Sequence, residues 1–472
     1  MRRPLSFLLL ALLCAIAPLA AAAESLPPQV VSALKNHELD GAGLSVFVQN
    51  VDAAEPLLSF NADTLRSPAS IIKVLTSYAA LDLLGPAYRW QTEVWVTGPV
   101  RDRRLEGDLI LRGGGDPSLT TERFWTMLRE IRALGIVEIA GDLVIDDTLF
   151  APNDGRPGDL DRQPYRAYNV LPNAMLVNYN VLEFRIRRAG RQVIVHADPP
   201  LDDFEVENRI GSRQGRCGGF QRGVAFDLPQ GVGGRRAVLS GEFPSGCSDY
   251  TLWRAALEAP QYTDALFRSL WRNLGGRIDG KLRLAPVPEG ARKLLTYTSR
   301  PLAEQLREIN KWSNNVMTRH LFLTLGIEHH GPPGTPDKSR EIIQAWLAER
   351  SLAVPGLFID NGAGLSRRTR ITAAGLGKVL LHAWRHPLMP DLVASMPIAA
   401  VDGTLRSRYR GELAGRMHLK TGRLDDVSAI AGIVTSRSGR RHVVVAIMNE
   451  PDAHRGSGEA VQETLLRWVV SQ

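Results

Sequence analysis

Arg66-Ser67-Pro68-Ala69-Ser70-Ile71-Ile72-Lys73-Val74-Leu75-Thr76 is a polar, serine-bearing entry into an apolar helical pattern that runs to Leu84 and stops at Gly85-Pro86. Ser before the run and Gly-Pro after it are helix punctuation. The pattern predicts a helix over 71–84, apolar almost all round and therefore buried. Ser70 falls at its N-terminus, where unsatisfied backbone N–H groups and the positive end of the helix dipole favour developing negative charge. Lys73 follows three residues later, one helical turn on, which sets its amine beside the Ser70 hydroxyl. A serine hydroxyl is a weak nucleophile until a neighbour takes its proton, and a lysine desolvated among other cations has its pKa lowered enough to do so. Alone, Ser-x-x-Lys also describes any serine-capped helix with a downstream lysine.

Two further polar motifs follow in order. Ser313-Asn314-Asn315 comes after Asn310-Lys311-Trp312 and before an apolar helical pattern. Ser313 reads either as a helix cap or as a hydroxyl relaying a proton between Lys73 and a leaving amine, with Asn315 holding Lys73 and a substrate amide. Lys420-Thr421-Gly422 follows Met417-His418-Leu419 on an expected edge strand. Lys420 offers positive charge to a substrate carboxylate and Thr421 a hydroxyl, while Gly422 lets a substrate backbone lie against the strand with no Cβ in the way. The N–H groups of Ser70 and Arg423 are the expected oxyanion hole. Each motif is weak singly; the three in this order resemble the set shared by β-lactamases and penicillin-binding proteins, which implies acyl transfer through a serine nucleophile.

The surrounding chain sets the frame. Its 472 residues imply two to four domains, and 44% hydrophobic with 23% charged residues is a globular composition. Arg2 and Arg3, an apolar stretch from Phe7 to Leu19 and the small residues Ala20–Ala23 read as a secretory signal cleaved near Ala23. Removing Arg2 and Arg3 from 57 Lys+Arg leaves 55 against 50 Asp+Glu, so the net charge drops from +7 to +5. The basic residues are scattered, which argues against a nucleic-acid partner. Cys14 leaves with the signal; Cys217 and Cys247 remain as an even pair in an exported chain, and a disulfide between them is the expectation. No later apolar run reaches about 20 residues, so no membrane span is expected. The ten histidines, including His329-His330, show no metal-ligand spacing, and neither metal nor cofactor is expected.

Texture divides the chain. Helical and alternating patterns at the N-terminus give way after Tyr88 to short strands with Gly turns. Gly-Asp-Leu recurs at 107 and 141, and Gly280-Lys281-Leu282 resembles it, suggesting similar hairpins. The Gly- and Arg-rich stretch from about 160 to 255 reads as a small β domain. Helical texture returns at Pro301, so an α/β unit begun at the N-terminus resumes at the C-terminus.

With Gly113-Gly114-Gly115-Asp116-Pro117, Asn361-Gly362-Ala363-Gly364-Leu365-Ser366-Arg367 and Asp402-Gly403-Thr404-Leu405, the three motifs resemble those of the class C low-molecular-mass penicillin-binding proteins over essentially the whole mature chain. Ser313 lies 243 residues beyond Ser70 (313 minus 70), an interval far longer than in a compact β-lactamase. The resemblance implies an α/β (α+β) transpeptidase/β-lactamase-like catalytic domain, 24–88 with 290–472, interrupted by an inserted domain II (89–159 and 256–289) and a small β domain III (160–255). It implies a periplasmic D-alanyl-D-alanine carboxypeptidase/endopeptidase acting on peptidoglycan stem peptides and acylated by β-lactam antibiotics. In many members the bond cut is the D-Ala to diaminopimelate cross-link. Two departures stand out: Asn361 where the family usually has Asp, and Arg423 where a small hydroxyl residue is common. A β-lactamase is the rival reading, disfavoured because no Glu-x-x-x-Asn occurs between Ser313 and Lys420. A non-catalytic wall-binding protein is disfavoured by the intact polar set.

Overall fold

The structure, a computed structural model, describes residues 25–190 and 192–472; the stretch expected to be a cleaved signal, with Cys14, lies outside them. One five-stranded antiparallel sheet is built from both ends of the chain, in the order Met417–Leu424, Val427–Thr435, Arg441–Asn449, Leu44–Asn50 and Leu58–Phe60. The first long strand pairs with the last, from Leu44 opposite Met448 to Asn50 opposite His442. Strand side chains alternate between faces, and here both faces are covered. Val443, Val445 and Ile447 pack with the helices Ile72–Leu84 and Ala373–Arg385, while Val444, Ala446 and Met448 pack with Pro28–Asn36 and Ser457–Val470. The helix Ile72–Leu84 is buried continuously from Ile72 to Leu81, as its apolar sequence requires.

Between Leu84 and Leu302 lie four more sheets. Leu282–Leu284, Leu143–Asp146, Leu109–Arg112, Gln91–Val96 and Arg292–Thr298 form one of five strands, beside a four-stranded sheet of very short strands. Two three-stranded sheets between Leu182 and Arg254 share a core with them. The strand Arg292–Thr298 pairs with Gln91–Val96, so the inserted sheet runs past residue 290, the bound that the resemblance implied for the return of the catalytic domain. The Gly-Asp-Leu repeats do not form hairpins. Their strands lie parallel, Leu109 beside Leu143 beside Leu282. The Gly141 N–H donates to the Gly107 carbonyl and the Gly280 N–H to that of Gly141 (3.0 and 3.1 Å). The Asp108 and Asp142 carboxylates each accept the backbone N–H at the equivalent position of the next tier, both at 2.8 Å. A Cβ on Gly141 or Gly280 would strike the glycine carbonyl of the tier before it, at 2.6 and 2.2 Å. Cys217 and Cys247 are bonded, closing a loop across 30 residues at the edge of the second three-stranded sheet.

Candidate active site

Ser70 sits in a short 3-10 turn, Ala69–Ile71, that feeds the helix Ile72–Leu84. Lys73, on the first turn of that helix, is fully buried, with Nζ 3.1 Å from Ser70 Oγ, 2.7 Å from Asn315 Oδ1 and 2.5 Å from the Ala363 carbonyl oxygen. Burial, with Lys420 and Arg319 adding like charge, holds the Lys73 amine well below the ordinary lysine range. Among the described residues no carboxylate lies within ion-pair distance of it.

The helical texture after Pro301 is broken into Leu302–Lys311 and Asn315–His330, and Ser313 stands in the break with a positive φ of 56°. The cap of the second helix is Asn314, whose Oδ1 accepts the Met317 N–H at 3.1 Å. Ser313 is thereby released from capping, and its hydroxyl accepts from Lys420 Nζ at 2.8 Å. A non-glycine residue held at positive φ is costly and is characteristic of functional sites.

Lys420, Thr421, Gly422 and Arg423 lie on the edge strand Met417–Leu424. Lys420 is fully buried, also donates to the Thr421 carbonyl (2.7 Å), and is brought down by burial to about 7. Thr421 Oγ1 is 2.9 Å from Thr404 Oγ1. A Cβ on Gly422 would come within 2.6 Å of the Pro68 carbonyl and 3.1 Å of the Ser70 nitrogen. The requirement for glycine here therefore lies in the fold itself, because the strand is pressed against the turn carrying Ser70. Ser70, Lys73, Ser313, Asn315 and Lys420 thus meet around one point; Cys217 and Cys247 belong to the insertion.

Three supports escaped the sequence reading. In Asn361-Gly362-Ala363-Gly364-Leu365, Asn361 Oδ1 accepts the N–H groups of Ala363 and Gly364 (3.1 and 3.2 Å) and its Nδ2 donates to the Leu365 carbonyl (2.9 Å). That aims the Ala363 carbonyl at Lys73. Aspartate could make the first two contacts but not the third, so Asn361 suits the loop it stands in. In Asp402-Gly403-Thr404, the Asp402 carboxylate takes Lys311 Nζ at 2.5 Å while Thr404 meets Thr421, which ties the Ser313 break to the edge strand. Burial alone would raise the Asp402 carboxyl, but Lys311 and the Ile398 N–H hold it below its usual range. Both stretches were quoted above without a role, since a carbonyl acceptor has no side-chain signature. The third support is a strap from the insertion: the Tyr168 carbonyl faces Asn315 Nδ2 at 3.4 Å and the Val170 carbonyl accepts from Arg319 Nη1 at 3.0 Å.

Ser70 opens into a cleft of about 400 Å³, walled by Asp161 and Tyr168 from the strap, Trp312, Arg367 and Arg423. On its rim Asp426, Asp452 and His454 converge; an Asp426 carboxylate oxygen and His454 Nδ1 there already accept backbone N–H groups.

A five-stranded sheet flanked by helices, with a serine-lysine pair at a helix start, a serine-asparagine turn and a lysine on the edge strand, defines a penicillin-binding protein of the low-molecular-mass class C type. The chain belongs to the D-Ala-D-Ala carboxypeptidase 3 (S13) family, whose sequence profile matches residues 26–469. It is 30% identical over 454 residues to a D-alanyl-D-alanine carboxypeptidase of Actinomadura sp. (strain R39), covering 92% of this chain and 82% of that protein. It is 24% identical over 428 residues to the D-alanyl-D-alanine carboxypeptidase DacB of Haemophilus influenzae, covering 89% and 88%. The fold is similar to the crystal structure of penicillin binding protein 4 from Haemophilus influenzae, with a TM-score of 0.79 at 22% identity over 94% of this chain and 99% of that one.

Proposed function

We propose that this protein is a serine D-alanyl-D-alanine carboxypeptidase and DD-endopeptidase that acts in the periplasm on peptidoglycan stem peptides and is acylated by penicillins. The observation that carries the reading is the hydrogen-bond inventory of Lys73. A neutral amine has two N–H donors and one lone pair. With Asn315 Oδ1 and the Ala363 carbonyl accepting two N–H groups, Ser70 Oγ at 3.1 Å stands where the lone pair of a neutral amine takes the hydroxyl proton. A buried ammonium would instead sit beside two other cations with no counter-charge.

In this reading Ser70 Oγ attacks the carbonyl of the penultimate D-Ala as its proton passes to Lys73, and the Ser70 and Arg423 N–H groups hold the oxyanion. Ser313, bonded to Lys420, relays the proton taken up by Lys73 to the departing amine as the C–N bond breaks, which frees D-Ala in the carboxypeptidase reaction or the cross-linking side chain in the endopeptidase reaction. Water then attacks the acyl-Ser70 ester, its proton going to Lys73 and on to Ser70 Oγ as the ester bond breaks, which restores the free enzyme. Lys420 and Thr421 bind the substrate carboxylate. Among the described residues no helix is long and apolar enough to cross a membrane.

The test is fluorescent-penicillin labelling together with mass spectrometry of products from defined monomeric and cross-linked muropeptides. Wild type should label stoichiometrically and release D-Ala, and Ser70→Ala should do neither. Peptidase activity surviving in the Ala variant would move the nucleophile elsewhere. Rapid catalytic turnover of penicillin would favour a β-lactamase.

A further inference from the structure

Arg319 is one helical turn beyond Asn315 on the helix Asn315–His330, on the same face as the residue that holds Lys73. Among the described residues no carboxylate pairs with it within ion-pair distance. Its Nη1 donates to the Val170 carbonyl of the strap at 3.0 Å, and its Nε is closed off from solvent without an acceptor. The carboxylate acting on it from a distance, Asp360, is engaged with Arg368 at 3.3 Å. A half-buried guanidinium with so few partners is unfavourable for stability, and nothing in the packing of an apolar helix calls for it. Burial lowers it only to about 10, so it keeps its charge at neutral pH.

We propose that Arg319 is a positioning residue for acylation: its unpaired positive charge, placed beside the Lys73 site by the helix that also supplies Asn315, keeps the Lys73 amine unprotonated and ready to accept the Ser70 proton. The inference rests on Lys73 being the base. The charges acting on Lys73 are Lys420, from the edge strand, and Arg319; the 361–364 loop meets it with the Ala363 carbonyl and Asn315 with an amide. Lys420 is bonded to Ser313 and, in the reading above, pairs with the substrate carboxylate, which offsets its charge whenever substrate is bound. Arg319 is the fixed member of the pair, and its field acts on Lys73 whether the cleft is empty or full.

The experiment is the pH dependence of penicillin acylation, measured by stopped flow on the full-length mature protein. Wild type should show an acid limb as Lys73 takes up a proton. Arg319→Gln should move that limb to higher pH and slow acylation at pH 7 by about tenfold, with the rate largely recovered on the alkaline side. Arg319→Lys, which keeps the charge, should leave the limb near its wild-type position. A limb that stays put in Arg319→Gln overturns the proposal, even if the rate drops at every pH. A limb that moves equally in both variants also overturns it, since the bond to Val170 rather than the charge would then matter. If Arg319→Gln does not fold, Arg319→Met, which keeps the aliphatic stem and removes the charge, takes its place: it should move the limb to higher pH, and no movement counts against the proposal. A wild type with no acid limb at all would instead refute Lys73 as the base, which keeps the two failures distinguishable.

Discussion

Lys73 and Lys420 are two fully buried lysines with no carboxylate beside them among the described residues, an arrangement that stability alone would remove. Lys420 shows the conflict most simply, because burial alone brings it from its ordinary 10.5 to about 7. Between those two values the unfolded chain holds the proton that the folded chain releases. Stability from this group therefore rises with pH across that window and is fully withdrawn below about 7, at a cost on the order of 5 kcal/mol. Lys420→Met should consequently melt a few degrees higher than wild type at pH 7, with the advantage shrinking toward pH 10, while penicillin acylation falls at least about 100-fold. Differential scanning calorimetry at the two pH values checks it. A variant that melts below wild type at pH 7 would mean that the bonds to Ser313 and the Thr421 carbonyl outweigh the desolvation.

At the scale of elements, the site depends on two backbones approaching the turn that carries Ser70. Gly422 brings the edge strand against it, and Gly364, at φ +76°, brings the loop carrying the Ala363 carbonyl, where a Cβ would stand 1.9 Å from the Ala69 carbonyl oxygen. Both obstacles are backbone atoms, which cannot rotate away. Gly422→Ala should cost about 1–3 kcal/mol in urea unfolding and displace the oxyanion donors enough to slow acylation more than about 100-fold. Gly364→Ala, with both a clash and positive φ, should be the more destabilised of the two; equal or higher stability in either would show that the turn can yield. These approaches also mark where sequence reading stops. The helix Ile72–Leu84 was legible from apolar pattern and punctuation, and the Lys73-to-Ser70 contact from helical spacing. Ser313 was ambiguous because Asn314, the next residue, is an equally good cap, and only the path of the chain decides between them. The Gly-Asp-Leu repeats were seen, but hairpin and parallel stacking share the same strand pattern. Their order in the sheet depends on pairings 34 and 139 residues apart.

For the whole molecule, the catalytic sheet closes only when the Leu44–Asn50 strand meets Arg441–Asn449, so the insertion has to be folded out of the way of that pairing rather than through it. The spacing of Ser70 and Ser313 announced such an insertion. It did not announce that the strap through Tyr168 and Val170 would return to wall the cleft, since those contacts use main-chain carbonyls. The insertion therefore has a part that touches the chemistry and a part that does not, and the disulfide separates them experimentally. Cys217–Cys247 closes a loop across 30 residues beside the sheet of Glu205–Arg213 and Arg236–Pro244, and Phe220 of that loop meets the strap at Arg166. Tying that loop restricts the unfolded chain by about 3 kcal/mol. The double variant Cys217→Ser/Cys247→Ser should thus exchange amide hydrogens faster across 205–254 and lose stability of that order, while the acylation rate by penicillin at 25 °C changes less than about twofold. Hydrogen exchange and stopped flow on the same preparation separate the outcomes. If acylation falls along with the protection, the sheets around the bridge hold the strap in place, and the insertion acts on the cleft as a single body.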